Sequence, residues 1–273
     1  MNQTTTSSWR GYLELTKPGV QALLFVSCIS GMLIGSKFSP PLSIFIFGLL
    51  GISFLAASAA VINHIFDSEI DAKMNRTASR PLVKGSITEF SASVFAAALY
   101  VSGSLMLLIY VNALTWILTS LTSIFYAFIY TRYLKFMTSQ NIVIGGLAGA
   151  MPPLLGWTAV SNTIEPNAWL LVLIVMVWTP PHFWALAVYR VDDYAEAAVP
   201  MLPVQKGIAF TKQHIVLYTL LLLASTMLPY AVGMFQELYL VVALILGLGF
   251  LYFSIKLYRD DTNASAMQTF AYS

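Results

Sequence analysis

Charge is scarce in this chain. Asp, Glu, Lys and Arg make up 10% of its 273 residues and 58% are hydrophobic, whereas ordinary soluble domains carry about 25% charged residues. With a mean hydropathy of +0.75, water cannot be the main solvent, and an integral membrane protein follows. The single cysteine, Cys28, excludes an intramolecular disulfide; lying in an apolar run, it reads as a small core residue. No Walker loop, Cys-x-x-Cys pair or Ser-His-Asp arrangement is present, so P-loop, dithiol and serine-hydrolase chemistry have no signal here. The first apolar run has no small-residue cleavage site and reads as a retained helix. A net charge of +2 says little about partners, because the charges are unevenly placed; no nucleic-acid partner is expected.

What the chain does have is long apolar runs. Eight are long enough to span a bilayer, at about 20–36, 42–64, 90–110, 112–131, 141–160, 167–189, 213–233 and 236–257. In lipid every backbone group must be satisfied internally, so a bundle of α-helices is expected. The connections alternate in charge. Of the 14 Lys and Arg residues, all but Lys37 fall on the N-terminal side, as do all of the 12 acids except Glu165 and Glu237. That asymmetry places the N-terminus in the cytoplasm. Two connections on this side are long and acidic, about 65–89 and 190–212.

The first of them opens with Asn63, Asp67 and Asp71, spaced four apart. On a helix this spacing stacks them on one face. Two stacked carboxylates repel by about 1 kcal/mol at 4 Å in bulk water and several times more at a protein surface. A hard divalent cation removes that repulsion, and Mg²⁺ takes one or two carboxylates plus substrate phosphate oxygens. Arg76, Arg80 and Lys84 follow closely and suit the remaining phosphate charge, Arg as a planar fork and Lys as a point charge. The pattern points to a Mg²⁺-diphosphate site at a membrane surface; a solvated helix end with lipid-facing basic residues is the plainer reading.

The second acidic connection echoes the first. At one fixed offset Asp71, Pro81, Lys84 and Gly85 align with Asp193, Pro203, Lys206 and Gly207, while Asp67 aligns with Tyr189. This suggests a duplicated four-helix unit, at about 15–135 and 136–258 of a single membrane domain. It makes Asp193 a third candidate carboxylate. Arg190, Lys206 and Lys135 join the candidate diphosphate-binding residues. Asp192, beside Asp193, is the weaker candidate, and the two could equally be a plain surface acid pair; Glu69 and Glu196 read as solvated. His182 follows Pro180 and Pro181 inside an apolar run; it either caps the carbonyls those prolines free or faces a cavity as a haem ligand or proton carrier. The stretch from Asn141 to Pro153 is rich in small residues, which suits close helix packing or room for a flat substrate. Residues 264–273 turn apolar and read as the first turns of a ninth helix whose remainder is missing.

Asn63-x3-Asp67-x3-Asp71, with Arg76-Thr77 and Arg80-Pro81 behind it, resembles the UbiA superfamily of intramembrane prenyltransferases. Four further stretches resemble its haem-prenylating branch: Leu15-Thr-Lys-Pro18; Asn141-Ile-Val-Ile-Gly-Gly with Gly149-Ala-Met-Pro-Pro153; Pro181-His-Phe-Trp-Ala-Leu-Ala187; and Asp193-Tyr194 leading to Val199-Pro-Met-Leu-Pro203. Phe136 and Met137 depart from the basic residues frequent after Lys135 in that branch, and Ala198 stands where glycine is common. The resemblance implies nine helices around a central cavity, Mg²⁺, farnesyl diphosphate and haem b. It implies farnesyl transfer to a haem vinyl group with addition of water, giving haem O, in a bacterial inner membrane. A haem A synthase or terminal-oxidase assembly factors would be partners. The rival readings are prenylation of a phenolic acid for quinone synthesis and a cation-coupled transporter.

Overall fold

The structure, a computed structural model, describes residues 9–74 and 77–273. Among these residues eight helices are long and apolar enough to cross a membrane. A short helix, α1 (Trp9–Leu15), precedes them. The first five long helices are α2 (Pro18–Gly35), α3 (Leu42–Asp71), α4 (Glu89–Tyr110), α5 (Ala113–Met137) and a broken span formed by α6 (Asn141–Ala150) and α7 (Pro152–Ser161). Then come α8 (Pro166–Tyr189), the short α9 (Val191–Glu196) and α10 (Leu202–Lys206), the long α11 (Ile208–Ala231) and α12 (Glu237–Arg259), and finally α13 (Ala266–Tyr272).

Local chemistry sets many of the starts. Proline occupies the first turn of α2, α7 and α8, where its missing N–H costs nothing and its φ is already helical. Thr88 and Asn112 cap α4 and α5 by accepting from Ser91 N (3.1 Å) and Thr115 N (2.8 Å). Three boundaries differ from the apolar runs. The second span continues through Asp71 instead of ending near 64, because the polar groups on its last turns are bonded by neighbouring elements. The fourth continues to Met137, and residues 125–134 wind as a π-helix. The seventh begins at Ile208, not 213. Its first turn carries Thr211 and Lys212, polar by type yet buried here: Thr211 Oγ1 donates to Gly207 O (2.9 Å) and Lys212 Nζ to the Asp260 carbonyl.

The chain divides into two compact units. The first holds α1 to α4, α5 as far as Tyr133, and α7; the second holds the rest. In the first unit α3 packs along α4 and α2 along α7. Both contacts are close because glycines face them. A Cβ on Gly51 would come within 2.7 Å of the Leu107 side chain, and one on Gly31 or Gly156 would collide with the Pro153 or Cys28 carbonyl. Fully buried Leu15 packs with Val61, Ile87, Ala92 and Ala96, which pins α1 to the later half of α3 and the first turns of α4. The residue two places on, Lys17, is thereby delivered to the acidic end of α3.

In the second unit α8 packs on α11, and α11 on α12, around Val177, Leu222 and Phe250. Gly146 of α6 sits against Thr179, where a Cβ would stand 3.0 Å from Thr179 Cγ2; a Cβ on Gly149 would meet nothing within 4 Å. The small-residue stretch is therefore close-packed at one glycine and open at another. Residues 264–273 do form helix, in α13. The Asp260 carboxylate holds the turn before it, accepting from Thr262 Oγ1 (2.6 Å), Ser265 Oγ (2.7 Å), Ser265 N (2.7 Å) and Thr262 N (2.9 Å). Those bonds, the Thr262 hydroxyl first, hold its carboxyl well below the usual carboxylate range. Their stabilising contribution is therefore fully present above about pH 4, the ordinary carboxylate value, and is lost only as pH falls well beneath it. Ala198 ends α9 with φ +53, bonded as a helix stop by Val199 N to Tyr194 O (3.0 Å) and Ala198 N to Ala195 O (3.1 Å). That conformation is why glycine suits the position.

Backbone-to-backbone contact at α2 and α7 predicts that Gly156→Ala destabilises the purified protein by about 1–3 kcal/mol through overpacking. Gly149→Ala, placed in open space, should hold or raise stability. Thermal melts in one detergent would compare them, and equal melting temperatures would refute the close contact.

Candidate active site

The last two turns of α3 carry Asn63, Asp67 and Asp71 on one face, at 3%, 5% and 4% exposure. Those values exclude a solvated helix end. A buried carboxylate costs several kcal/mol unless it is paired and hydrogen-bonded, and the partners are present. Asn63 Nδ2 donates to Asp67 Oδ2 (2.9 Å) and to Thr131 Oγ1 (3.0 Å). Its Oδ1 accepts from Lys17 Nζ, which also reaches Tyr126 OH at 3.2 Å. The Asp71 carboxylate accepts from the Arg80 guanidinium. Buried Thr77 donates through Oγ1 to the Asp71 carbonyl (3.0 Å), folding the loop after α3 back onto the helix end.

Two backbone irregularities support this set. Lys17 has φ +54, a left-handed conformation that costs a non-glycine residue about 1–3 kcal/mol and persists only when its surroundings impose it. Leu15 anchored on one side and Pro18 opening α2 on the other impose it here, and the result directs the ammonium to Asn63. The π-helical stretch of α5 adds a residue per turn; Thr131 Oγ1 donates to Tyr126 O, five residues back, at 2.8 Å, and Thr131 faces Asn63. Neither Lys17 nor Thr131 stands out as a site residue in the sequence. Lys17 had one signal, a lysine directly before the proline that opens a span. Thr131 had none, because π-winding shifts the face it occupies.

The other candidates are placed as follows. Arg76 lies outside the described residues. Lys84 is exposed on the turn after Pro81. In the second unit Asp193 pairs with Arg190 (3.1 Å), both about one-third exposed. Asp192, Glu69, Glu196 and Lys206 are exposed. Lys135 is half-buried, with its ammonium 5.5 Å from the Phe136 ring centre. His182 does not cap the carbonyls freed by Pro180 and Pro181. Its Nδ1 pairs with Ser273 Oγ (2.6 Å), and its ring lies between Trp178 and Phe270, each centred 4.4 Å away.

Among the described residues no three His, Cys, Asp or Glu side chains gather as a metal cage. Asp67 and Asp71 do supply two hard carboxylates on successive turns. That donor set fits Mg²⁺, which draws its remaining ligands from phosphate oxygens and water, and does not fit a closed zinc site.

Residues 24–273 match the model of the UbiA prenyltransferase family. The chain is 52% identical over 267 residues to protoheme IX farnesyltransferase of Saccharophagus degradans, covering 98% of this chain and 88% of that protein. It is 52% identical over 269 residues to the protein of that name from Marinobacter nauticus, covering 98% and 89%. A solved digeranylgeranylglyceryl phosphate synthase shares the fold at TM-score 0.80 and 23% identity, over 96% of this chain and 92% of that one. So does a UbiA homologue from Archaeoglobus fulgidus solved with DMAPP and Mg²⁺, at TM-score 0.73 and 16% identity, over 96% of each chain.

The Arg80–Asp71 pair predicts that Arg80→Ala, which strands a buried carboxylate, lowers stability by about 3 kcal/mol. Asp71→Asn in the same chain should restore most of it by removing the charge. Chemical denaturation of the single and double variants in detergent measures both, and an Arg80→Ala protein as stable as wild type would refute the pairing.

Proposed function

The chain belongs to the UbiA prenyltransferase family, and we propose that it transfers the farnesyl group of farnesyl diphosphate to a vinyl group of haem b, with addition of water, giving haem O. Relatives 52% identical over nearly the whole chain carry that activity in their names. The observation that carries the reading is the buried Asn63–Asp67–Asp71 ladder, neutralised from two sides by Lys17 and Arg80.

In this mechanism Asp67 and Asp71 would hold Mg²⁺, which would supply Lewis-acid neutralisation of the diphosphate leaving group, and Asp193 is a candidate further carboxylate. Asn63 orients Asp67 through its amide. The Lys17 ammonium keeps one N–H beyond those given to Asn63 and Tyr126, available to an anionic oxygen of a substrate. Arg80 exchanges its bond to Asp71 for diphosphate oxygens when substrate enters. Arg76, Lys84, Lys135, Arg190 and Lys206 supply further positive charge around the departing oxygens. Fixed donors of this kind act where charge develops as the allylic C–O bond breaks. The electron-rich vinyl carbon then captures the farnesyl cation, and water adds to the resulting cation with release of one proton to solvent. Water must be kept out before capture, which makes the segments after α3 and α8 candidate lids. His182 presents Nε2 to haem iron while Ser273 fixes Nδ1, as second partners of ligating histidines do.

The chain is an integral multi-pass membrane protein. The basic asymmetry puts its N-terminus and both acidic segments on the cytoplasmic side of a bacterial inner membrane. The two segments descend from a duplicated four-helix unit, and the product passes to a haem A synthase or to terminal-oxidase assembly.

The test uses membranes containing the protein, given haem b, farnesyl diphosphate and Mg²⁺, with haem O followed by mass. Asp71→Asn, or chelation of Mg²⁺, should lower the product by about 10²-fold or more. Unchanged haem O in that variant would remove the acidic ladder from the mechanism, and turnover of 4-hydroxybenzoate in place of haem b would assign the quinone-type reaction.

A further inference from the structure

At the junction of α1 and α2 lies an open pocket of about 280 Å³ that the ladder does not account for. Glu14, Lys17, Gly19, His64 and Arg80 line it. His64 is 3% exposed, and neither Nδ1 nor Nε2 has a hydrogen-bond partner among the described residues. Buried polar atoms without partners are rare. Whichever tautomer it adopts, the imidazole holds at least one N–H to give, and it gives onto a cavity flanked by two cations. Those cations have capacity left. Lys17 spends two of its three N–H bonds on Asn63 and Tyr126. Arg80 meets Asp71 through Nη1, one nitrogen of a group carrying five N–H donors. Glu14 is exposed and solvated, so the lining keeps a net positive charge. Gly19 leaves room, since a Cβ there would meet nothing within 4 Å.

We propose that His64, with Lys17 and Arg80, forms a subsite for an anionic oxygen of a substrate, His64 donating an N–H to it. Given the prenyl-transfer reading, on which the identity of the ligand rests, that oxygen belongs either to the terminal phosphate of the allylic diphosphate or to a propionate of the porphyrin. The chemistry is common to both: a resonance-stabilised oxyanion meeting a neutral donor between two cations.

The experiment measures binding to the purified full chain. Farnesyl diphosphate with Mg²⁺ is followed by calorimetry and haem b by quenching of tryptophan fluorescence, for wild type, His64→Leu and His64→Gln. His64→Leu should weaken one ligand at least tenfold and leave the other within twofold, while His64→Gln, which keeps an N–H donor, stays within threefold for both. If the oxygen is a phosphate, inorganic pyrophosphate also competes less well in His64→Leu. If it is a propionate, the dimethyl ester of haem b binds wild type and His64→Leu alike while the free acid separates them. Gly19→Leu, which fills the pocket and leaves the His64 side chain unchanged, should weaken the same ligand and covers the case in which His64→Leu fails to fold. Both affinities within twofold of wild type in His64→Leu or in Gly19→Leu would overturn the subsite. A wild type that binds neither ligand would instead overturn the prenyl-transfer reading.

Discussion

Two carboxylates one turn apart, buried at the end of a membrane helix, must be neutralised where little water reaches them. Most of the first unit can be understood as meeting that demand. Asn63 turns its amide to Asp67 and its carbonyl oxygen to Lys17. Arg80 returns from the following loop to Asp71, and Thr77 holds that loop in place. Leu15 anchors α1 so that Lys17 arrives at the right height. These partners also leave donors and acceptors that can be exchanged for a ligand's, which separates a site from a structural ion pair.

The stability of the fold and the chemistry of the site draw on different residues. Glycines at 31, 51 and 156 let helices approach backbone to backbone, so the scaffold is rigid at little side-chain cost. Left-handed backbone is confined to a few residues, of which one meets the acidic ladder and another lies inside the second acidic segment. Lys17, held in a left-handed conformation, reaches the ladder; Ala198, in the same conformation, ends α9. Strain beside function is the usual distribution.

The helical architecture was legible because apolar length and basic asymmetry report directly on the bilayer. The ladder was legible because a spacing of four is a helix face. The edges were not, for one reason: polarity was read as exposure. Asp67, Asp71, Thr211 and Lys212 are polar and buried, so α3 and α11 run further than their apolar runs. Contacts between distant segments were equally hidden. Lys17 with Asn63, Thr131 with Asn63 and His182 with Ser273 depend on how helices lie together, and π-winding in α5 moved Thr131 onto a face that ordinary helical spacing does not give it. Arg80 stood out in the sequence as a candidate phosphate binder, but its present pairing with Asp71 was not legible.

The central claim is that Asp67 and Asp71 are the seat of the metal that accompanies the diphosphate. Binding of Mn²⁺ as a Mg²⁺ substitute, followed by electron paramagnetic resonance of the purified protein with and without farnesyl diphosphate, tests it without relying on turnover. A bound Mn²⁺ signal should appear with the diphosphate in wild type and be lost in Asp67→Asn and in Asp71→Asn. Equal Mn²⁺ binding in wild type and both variants would contradict it.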